Sequence, residues 1–164
     1  MAVRPVLRIP ERVLKRVAEP AGGPDASLAA DLIDTMRASP ACVGLAAPQI
    51  GVSRRAFVAD VTGHPKATRC HGLIVLFDPV VVSASGRGGG REGCMSVPDL
   101  TANVARAAEV VVRGTGPDGA ETVVATEGFE ARALQHEIDH LDGLLILDRV
   151  ESLATDVFRR RVYR

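Results

Sequence analysis

Five consecutive residues restrict this chain more than any others: His136-Glu137-Ile138-Asp139-His140. They lie in residues 129–141, a stretch free of Gly and Pro and rich in Ala, Leu, Gln and Glu, which predicts a helix. Gly143 stands where a helix stop prefers a glycine. Two histidines four residues apart differ by about 40° around a helix and by roughly 6 Å along it, so both imidazoles can converge on one ion. Glu137 then lies beside that ion and is placed to take a proton from water. The competing use of the same residues is a surface helix holding two solvated histidines.

A catalytic site of this kind needs a third protein ligand and an open position for water. The metzincin pattern requires a His six residues past the second one. Gly143 fits that pattern, but Ile146 occupies the ligand position and cannot bind a metal. A later glutamate would have to be Glu151, which follows His140 closely. Among the remaining donors, Cys94 sits in Glu92-Gly93-Cys94-Met95-Ser96-Val97-Pro98, where the Gly and Pro mark an irregular, tightly shaped backbone. A thiolate there completes a Cys-His-His set. Cys70 and His71 lie in a charged loop and are expected on the solvent side. In residues 43–51, small side chains around Pro48 let a substrate backbone approach, and Gln49 is an uncharged donor suited to a developing oxyanion. A buried small-residue turn with a structural Gln explains that stretch equally well.

Elsewhere, Leu28, Leu32, Ile33 and Met36 place an apolar stripe on a helix over residues 25–38, bracketed by Pro24 and Pro40. Residues 56–61, 73–77, 79–83 and 109–113 are short, β-branched and bounded by Gly, Pro or Asp, so they predict strands. Gly116-Pro117-Asp118-Gly119 joins 109–113 to a partner strand at 121–125 as a hairpin. Residues 85–90 predict a glycine-rich loop, and 156–164 a short basic terminal helix. The fold class expected is α+β, with strands grouped between two helices in one domain, residues 1–164.

Composition then excludes several functions. Hydrophobic residues are 46% and charged residues 24%, which rules out a disordered or fibrous chain. Aromatics are 3% with no Trp, and 20 basic residues balance 20 acidic ones, so neither base stacking nor a general polyanion surface is expected. Three Cys at irregular spacing predict free or metal-bound thiols in a reducing compartment. The basic N-terminus is broken by Pro5, Pro10, Glu11 and Glu19, and the longest apolar run, residues 72–77, is too short to span a membrane. A cytoplasmic protein follows, with no membrane partner and no sequence-specific nucleic acid.

Taken together, the motifs resemble the peptide deformylase family. That family carries Gly-x-Gly-Leu-Ala-Ala-Pro-Gln, then Glu-Gly-Cys-Leu-Ser, then Gln-His-Glu-x-Asp-His; here they stand at residues 42–49, 92–96 and 135–140, in that order. The resemblance runs from Ile9-Pro10 to Asp148-Arg149. It implies antiparallel sheets around a central metal-binding helix, with Cys94, His136 and His140 as ligands and Glu137 as general acid and base. It implies hydrolysis of the N-formyl group from the formylmethionine of nascent polypeptides, releasing formate. It also implies that the backbone N–H of Met95 joins the Gln49 amide on the oxyanion. The family is known for a single ferrous ion, and a thiolate with two imidazoles also suits zinc, nickel or cobalt.

On the helix, Phe129 and Ala133 precede His136 by seven and three residues, so with Val43 they can line a pocket for the methionine side chain. The resemblance also implies that Gly44 and Gly93 are substrate-binding positions of their motifs. Asp139 and Gln135 are candidates to orient the ligand histidines. Cys42 replaces the first Gly of the opening motif; a positive φ there would cost on the order of 1 kcal/mol, and its thiol narrows the entrance. That departure motivates a rival reading, a related deacylase acting on another N-acylated small molecule. The basic ending, Arg159-Arg160-Arg161-Val162-Tyr163-Arg164, suggests a weak ribosome contact, set against a solvated tail.

Overall fold

A computed structural model describes residues 2–160. The apolar spacing of residues 25–38 becomes α1 (Ala26–Ala38), capped by Asp25, whose Oδ1 accepts the Leu28 N–H at 3.0 Å. Such a cap stabilises a helix by about 1 kcal/mol. The helix turns Leu28, Leu32 and Met36 inward against Leu45, Val58 and Phe77.

The strands follow in chain order: β1 (Gly44–Ala46), β2 (Ala56–Ala59), β3 (Ile74–Ser85), β4 (Gly88–Cys94), β5 (Val97–Arg106), β6 (Glu109–Thr115) and β7 (Glu121–Glu127). Then come α2 (Gly128–Leu141), the single turn α3 (Ile146–Arg149) and β8 (Val157–Arg159). A five-stranded antiparallel sheet has the order β1-β2-β3-β6-β7, and a three-stranded one the order β4-β5-β8. The expected hairpin is present, with Thr115 opposite Glu121.

Two stripes of different chemistry place α2 between the sheets. Ala131, Leu134, Ile138 and Leu141 recur at spacings of three and four and pack on Phe57, Leu76, Val110 and Val112 of the larger sheet. Burial of each large aliphatic side chain contributes about 1.5–3 kcal/mol. The second stripe, Ala133, His136, Glu137 and His140, faces β1 and β4 instead. The helix stops where Gly143 takes φ 75°; a Cβ there would lie 2.9 Å from backbone atoms of Lys15 and Arg16, so conformation and space both require glycine.

Three expectations are corrected. Residues 73–77 and 79–83 are parts of one strand, β3, because Asp78 takes φ 50° and its carboxylate accepts the Ala21 and Gly22 N–H groups at 2.7 and 3.0 Å. The register shifts between Phe77 and Val80, which accommodates Pro79 without ending the strand. Most of the glycine-rich loop is strand as well: Ser85 ends β3 opposite Glu109, and Gly88, Gly89 and Gly90 pair with Arg106, Ala105 and Val104. The terminal helix expected over residues 156–164 is β8 instead, with Thr101 opposite Phe158 and the Arg91 guanidinium 3.6 Å from the Phe158 ring centroid. Burying Val157 and Phe158 against β5 favours an extended backbone over a basic helix. Residues 161–164 of that expectation lie outside the described residues. Among those described, no helix is long and apolar enough to cross a membrane.

Candidate metal centre

Cys94 is the last residue of β4, and α2 brings His136 and His140 over it. One donor atom from each lies within 4.8 Å of the other two, and the Cys94 Sγ is 3.5 Å from His140 Nε2. His136 contacts Glu92 Oε1 through Nδ1 at 2.9 Å, which leaves its Nε2 free for an ion. One buried thiol and two imidazoles converging this closely fit a single divalent ion of the borderline class, with the solvent side left open.

Glu137 lies on the same helical stripe and is buried. A Cβ on Gly44 would sit 2.6 Å from Glu137 Oε1, so the absence of a side chain in β1 makes room for the carboxylate. Its Oε2 has no hydrogen-bond partner among the described residues. Burial pushes the carboxyl up to about 7, against the opposing pull of His136 and Arg106. A group with that affinity can both take and return a proton near neutral pH.

These groups open into a cleft of about 360 Å³. Val43, Gly44, Gly93, Met95, Phe129 and Ala133 all line it. Gln49 is buried at its base: Oε1 accepts the Ala46 N–H at 3.0 Å, while Nε2 donates to Ser96 Oγ at 3.1 Å and to Cys94 Sγ at 3.8 Å. Met95 occupies the turn between β4 and β5.

Residues 3–156 match the family model described as Polypeptide deformylase. The chain belongs to this family. It is 40% identical over 164 residues to a peptide deformylase of Syntrophobacter fumaroxidans, covering 98% of this chain and 94% of that one. It is 42% identical over 157 residues to one from Carboxydothermus hydrogenoformans, covering 94% and 97%. Among solved structures, the peptide deformylase of Legionella pneumophila superposes with a TM-score of 0.82 at 40% identity, covering 93% of this chain and 88% of that chain. A peptide deformylase from Acinetobacter baumannii, described as bound to Met-Ala-Ser, gives 0.83 at 33% identity, covering 91% and 99%.

Behind the three donors, this member of the deformylase family holds a chain of charge that is buried at Glu92, Arg106 and Asp139 and reaches the surface at Arg149. Arg106 donates to both oxygens of Glu92 at 2.6 and 2.9 Å and to Asp139 Oδ2 at 2.8 Å, and Arg149 closes on Asp139 at 2.7 and 3.0 Å. Arg132 adds a bond to Glu92 Oε2 at 2.7 Å. Burial alone would raise the Glu92 carboxyl, but the His136 and Arg106 contacts hold it well below the usual carboxylate range. Burial lowers His140 well below the ordinary imidazole value, with His136 and Arg106 adding to the effect, which keeps it neutral and ready to ligate.

At His136, Glu92 therefore holds the place that Asp139 and Gln135 were expected to fill, while His140 Nδ1 has no hydrogen-bond partner among the described residues. Asp139 is one link further away, and Gln135 spends its amide on the Ala107 backbone at 3.1 and 2.9 Å. Both sit on the flank of α2 that faces the end of β5, away from the histidine edge. Glu92 opens the second motif, but nothing local pairs it with His136, because the contact spans 44 residues. Cys42 does line the entrance, its thiol donating to the Gly44 carbonyl at 3.1 Å and pushed up to about 11 by burial. The positive φ falls one residue earlier, at Ala41 (φ 56°), so no backbone strain attaches to Cys42. His71 is not a simple solvent-side residue: its N–H and Nδ1 meet the buried Glu130 carboxylate at 2.7 and 2.5 Å. His64, absent from the ligand set, stacks on Phe129 at 4.0 Å between ring centroids and forms a wall of the cleft.

Proposed function

We propose that the protein removes the N-formyl group from the formylmethionine that begins a nascent polypeptide, releasing formate, with one ferrous ion held by Cys94, His136 and His140. The observation that carries this reading is the convergence of those three donors beside the buried Glu137 at the base of a cleft with both apolar and charged walls. When bound, the ion supplies Lewis acidity and a nucleophile near neutral pH. Glu137 takes the proton from the attacking water on a carboxylate oxygen and returns it to the departing amine. The Gln49 amide and the Met95 N–H face the oxyanion that develops on the formyl carbonyl. Val43, Phe129 and Ala133 receive the methionine side chain, and the peptide backbone passes Gly44 and Gly93 on the cleft wall, where the missing side chains make room for Glu137 and Arg160. Such a substrate places the protein in the compartment where translation occurs. The basic C-terminus is assigned a weak ribosome contact.

The test is anaerobic hydrolysis of a formyl-Met tripeptide by iron-loaded protein, beside Glu137→Ala and an acetylated control. Formate release by the wild type, reduced about 10²–10⁴-fold in Glu137→Ala with metal retained, is the expected result. Folded, metal-loaded protein that releases no formate contradicts the proposal, and equal hydrolysis of the acetyl peptide transfers the activity to N-acylated amines in general.

A further inference from the structure

The charges around the cleft are not evenly committed. Six charged groups other than the ligands line it: Lys66, Arg91, Arg132, Arg160, Glu92 and Glu137. Glu92 is consumed by Arg106, Arg132 and His136, and Glu137 is turned toward Gly44 beside the donor set. Arg132 is held by Glu92 and by the carbonyls of Val104 and Gly88, while Arg91 lies over Phe158 and donates to Asn103 at 3.1 Å. Arg160 differs. Its backbone N–H donates to the Asp99 carbonyl at 2.9 Å, which fixes the residue just past β8, yet its side chain has no hydrogen-bond or ion-pair partner among the described residues. The Nε is buried and unpartnered, and the Nη2 lies so close over Gly93 that a Cβ there would overlap it.

Arg160 is half-buried, and a guanidinium whose buried Nε has no partner is incompletely satisfied, so it favours an anion. Gly93 directly precedes the ligand Cys94, so Arg160 stands one residue along β4 from the metal donors. A peptide chain in extended form advances about 3.3 Å per residue, so side chains just beyond the methionine come level with this guanidinium. Of the two carboxylates that line the cleft among the described residues, Glu92 is paired with Arg106 and Arg132, and Glu137 lies against Gly44 on β1.

Resting on the deformylase reading above, we propose that Arg160 is a specificity-determining residue which selects formylated peptides with Asp or Glu at the second or third position. The carboxylate takes a forked pair of hydrogen bonds from the guanidinium. The position of Arg160 depends on β8, so the C-terminal strand is part of the substrate site.

The test compares kcat/KM for formyl-Met-Ala-Glu-amide and formyl-Met-Ala-Gln-amide, and the corresponding pair with Glu or Gln at position two. C-terminal amidation removes the terminal carboxylate as a competing anion. Wild type favours the acidic member of at least one pair by about fivefold at low ionic strength, and salt shrinks the preference. Arg160→Gln brings the ratio to unity, Arg160→Lys retains part of it, and Arg159→Gln, its neighbour at the end of β8 but outside the cleft, retains all of it. Equilibrium binding of the unformylated products to the same variants reads the preference even without turnover, so failure of the deformylase reading is separable from failure of this one. A wild-type ratio of one in both assays, or a ratio that survives Arg160→Gln, overturns the proposal. So does a charge preference seen for free-acid peptides alone, which would make Arg160 a reader of chain termini. A uniform rate increase in Arg160→Gln would instead identify the side chain as an obstruction and equally overturn it.

Discussion

The two sheets hold themselves together by different physics, and the metal donors straddle them. The larger sheet meets α1 and α2 through aliphatic clusters that include Phe57, Leu76, Leu134 and Leu141, all fully buried. The smaller sheet has a modest apolar cluster around Val97, Val104 and Ile146, and it meets α2 through the Glu92–Arg106–Asp139–Arg149 chain. Hydrophobic burial is strong but has no direction, which suffices to hold a helix on a sheet. Charge-assisted hydrogen bonds fix angles as well as distances, and that is what a thiol on β4 and two imidazoles on α2 require if they are to meet. The apolar clusters thus supply stability without setting ligand geometry, whereas the polar chain supplies both.

The strongest way to break the comparison is Arg106→Leu. Removing one partner of a buried ion network costs about 3–5 kcal/mol. Chemical denaturation should show that loss, and metal affinity should fall with it because Glu92 loses its anchor. Leu134→Ala, on the opposite stripe of α2, should lower stability by about 2–5 kcal/mol through an unfilled cavity. Its folded fraction should nevertheless bind metal as tightly as wild type; a parallel loss of affinity would show that the two regions are not separable. Glu92→Gln sharpens the contrast: metal affinity, read by competition with a chelator, should drop roughly 10–100-fold with a smaller effect on unfolding.

The smallest effect is at the periphery. Burial alone would raise the Asp148 carboxyl, but the Lys15 ammonium and the Leu145 N–H hold it below its ordinary value of 3.8. A carboxyl depressed in the folded state contributes stability that is present above its unfolded pKa and lost as pH falls through the folded one. Asp148→Asn should therefore lower stability at neutral pH by under about 1 kcal/mol, and the difference from wild type should vanish in strong acid. A difference that grows on acidification would contradict the sign.

How much of this was legible in the sequence depended on reach. The His-Glu-x-x-His spacing, the stripe of α1, the turn at residues 116–119 and the stop at Gly143 are local patterns, and each appears in the structure as expected. Asp78-Pro79 looked like a break because the contact that holds Asp78, with the Ala21 and Gly22 N–H groups, is remote in sequence. The polar ending gave no sign that Phe158 would find Arg91 and Thr101 and complete a sheet. In the site, motif spacing indicated the donors and Glu137, whereas the partnership of Glu92 with His136, and the arrival of Arg160 over Gly93, depend on strand register. Register between distant strands is set by the whole fold, and no single stretch of residues encodes it.

The most direct test of the account is a cobalt(II) titration followed by absorbance, in wild type, Cys94→Ser and Leu134→Ala. A single ion bound across the seam predicts saturation at one cobalt per chain with a thiolate-to-metal band in the near ultraviolet. That band should be absent in Cys94→Ser and intact in the folded fraction of Leu134→Ala. A stoichiometric cobalt complex lacking the thiolate band in wild type, or keeping it in Cys94→Ser, would place the ion elsewhere and contradict the union of β4 and α2 at one metal.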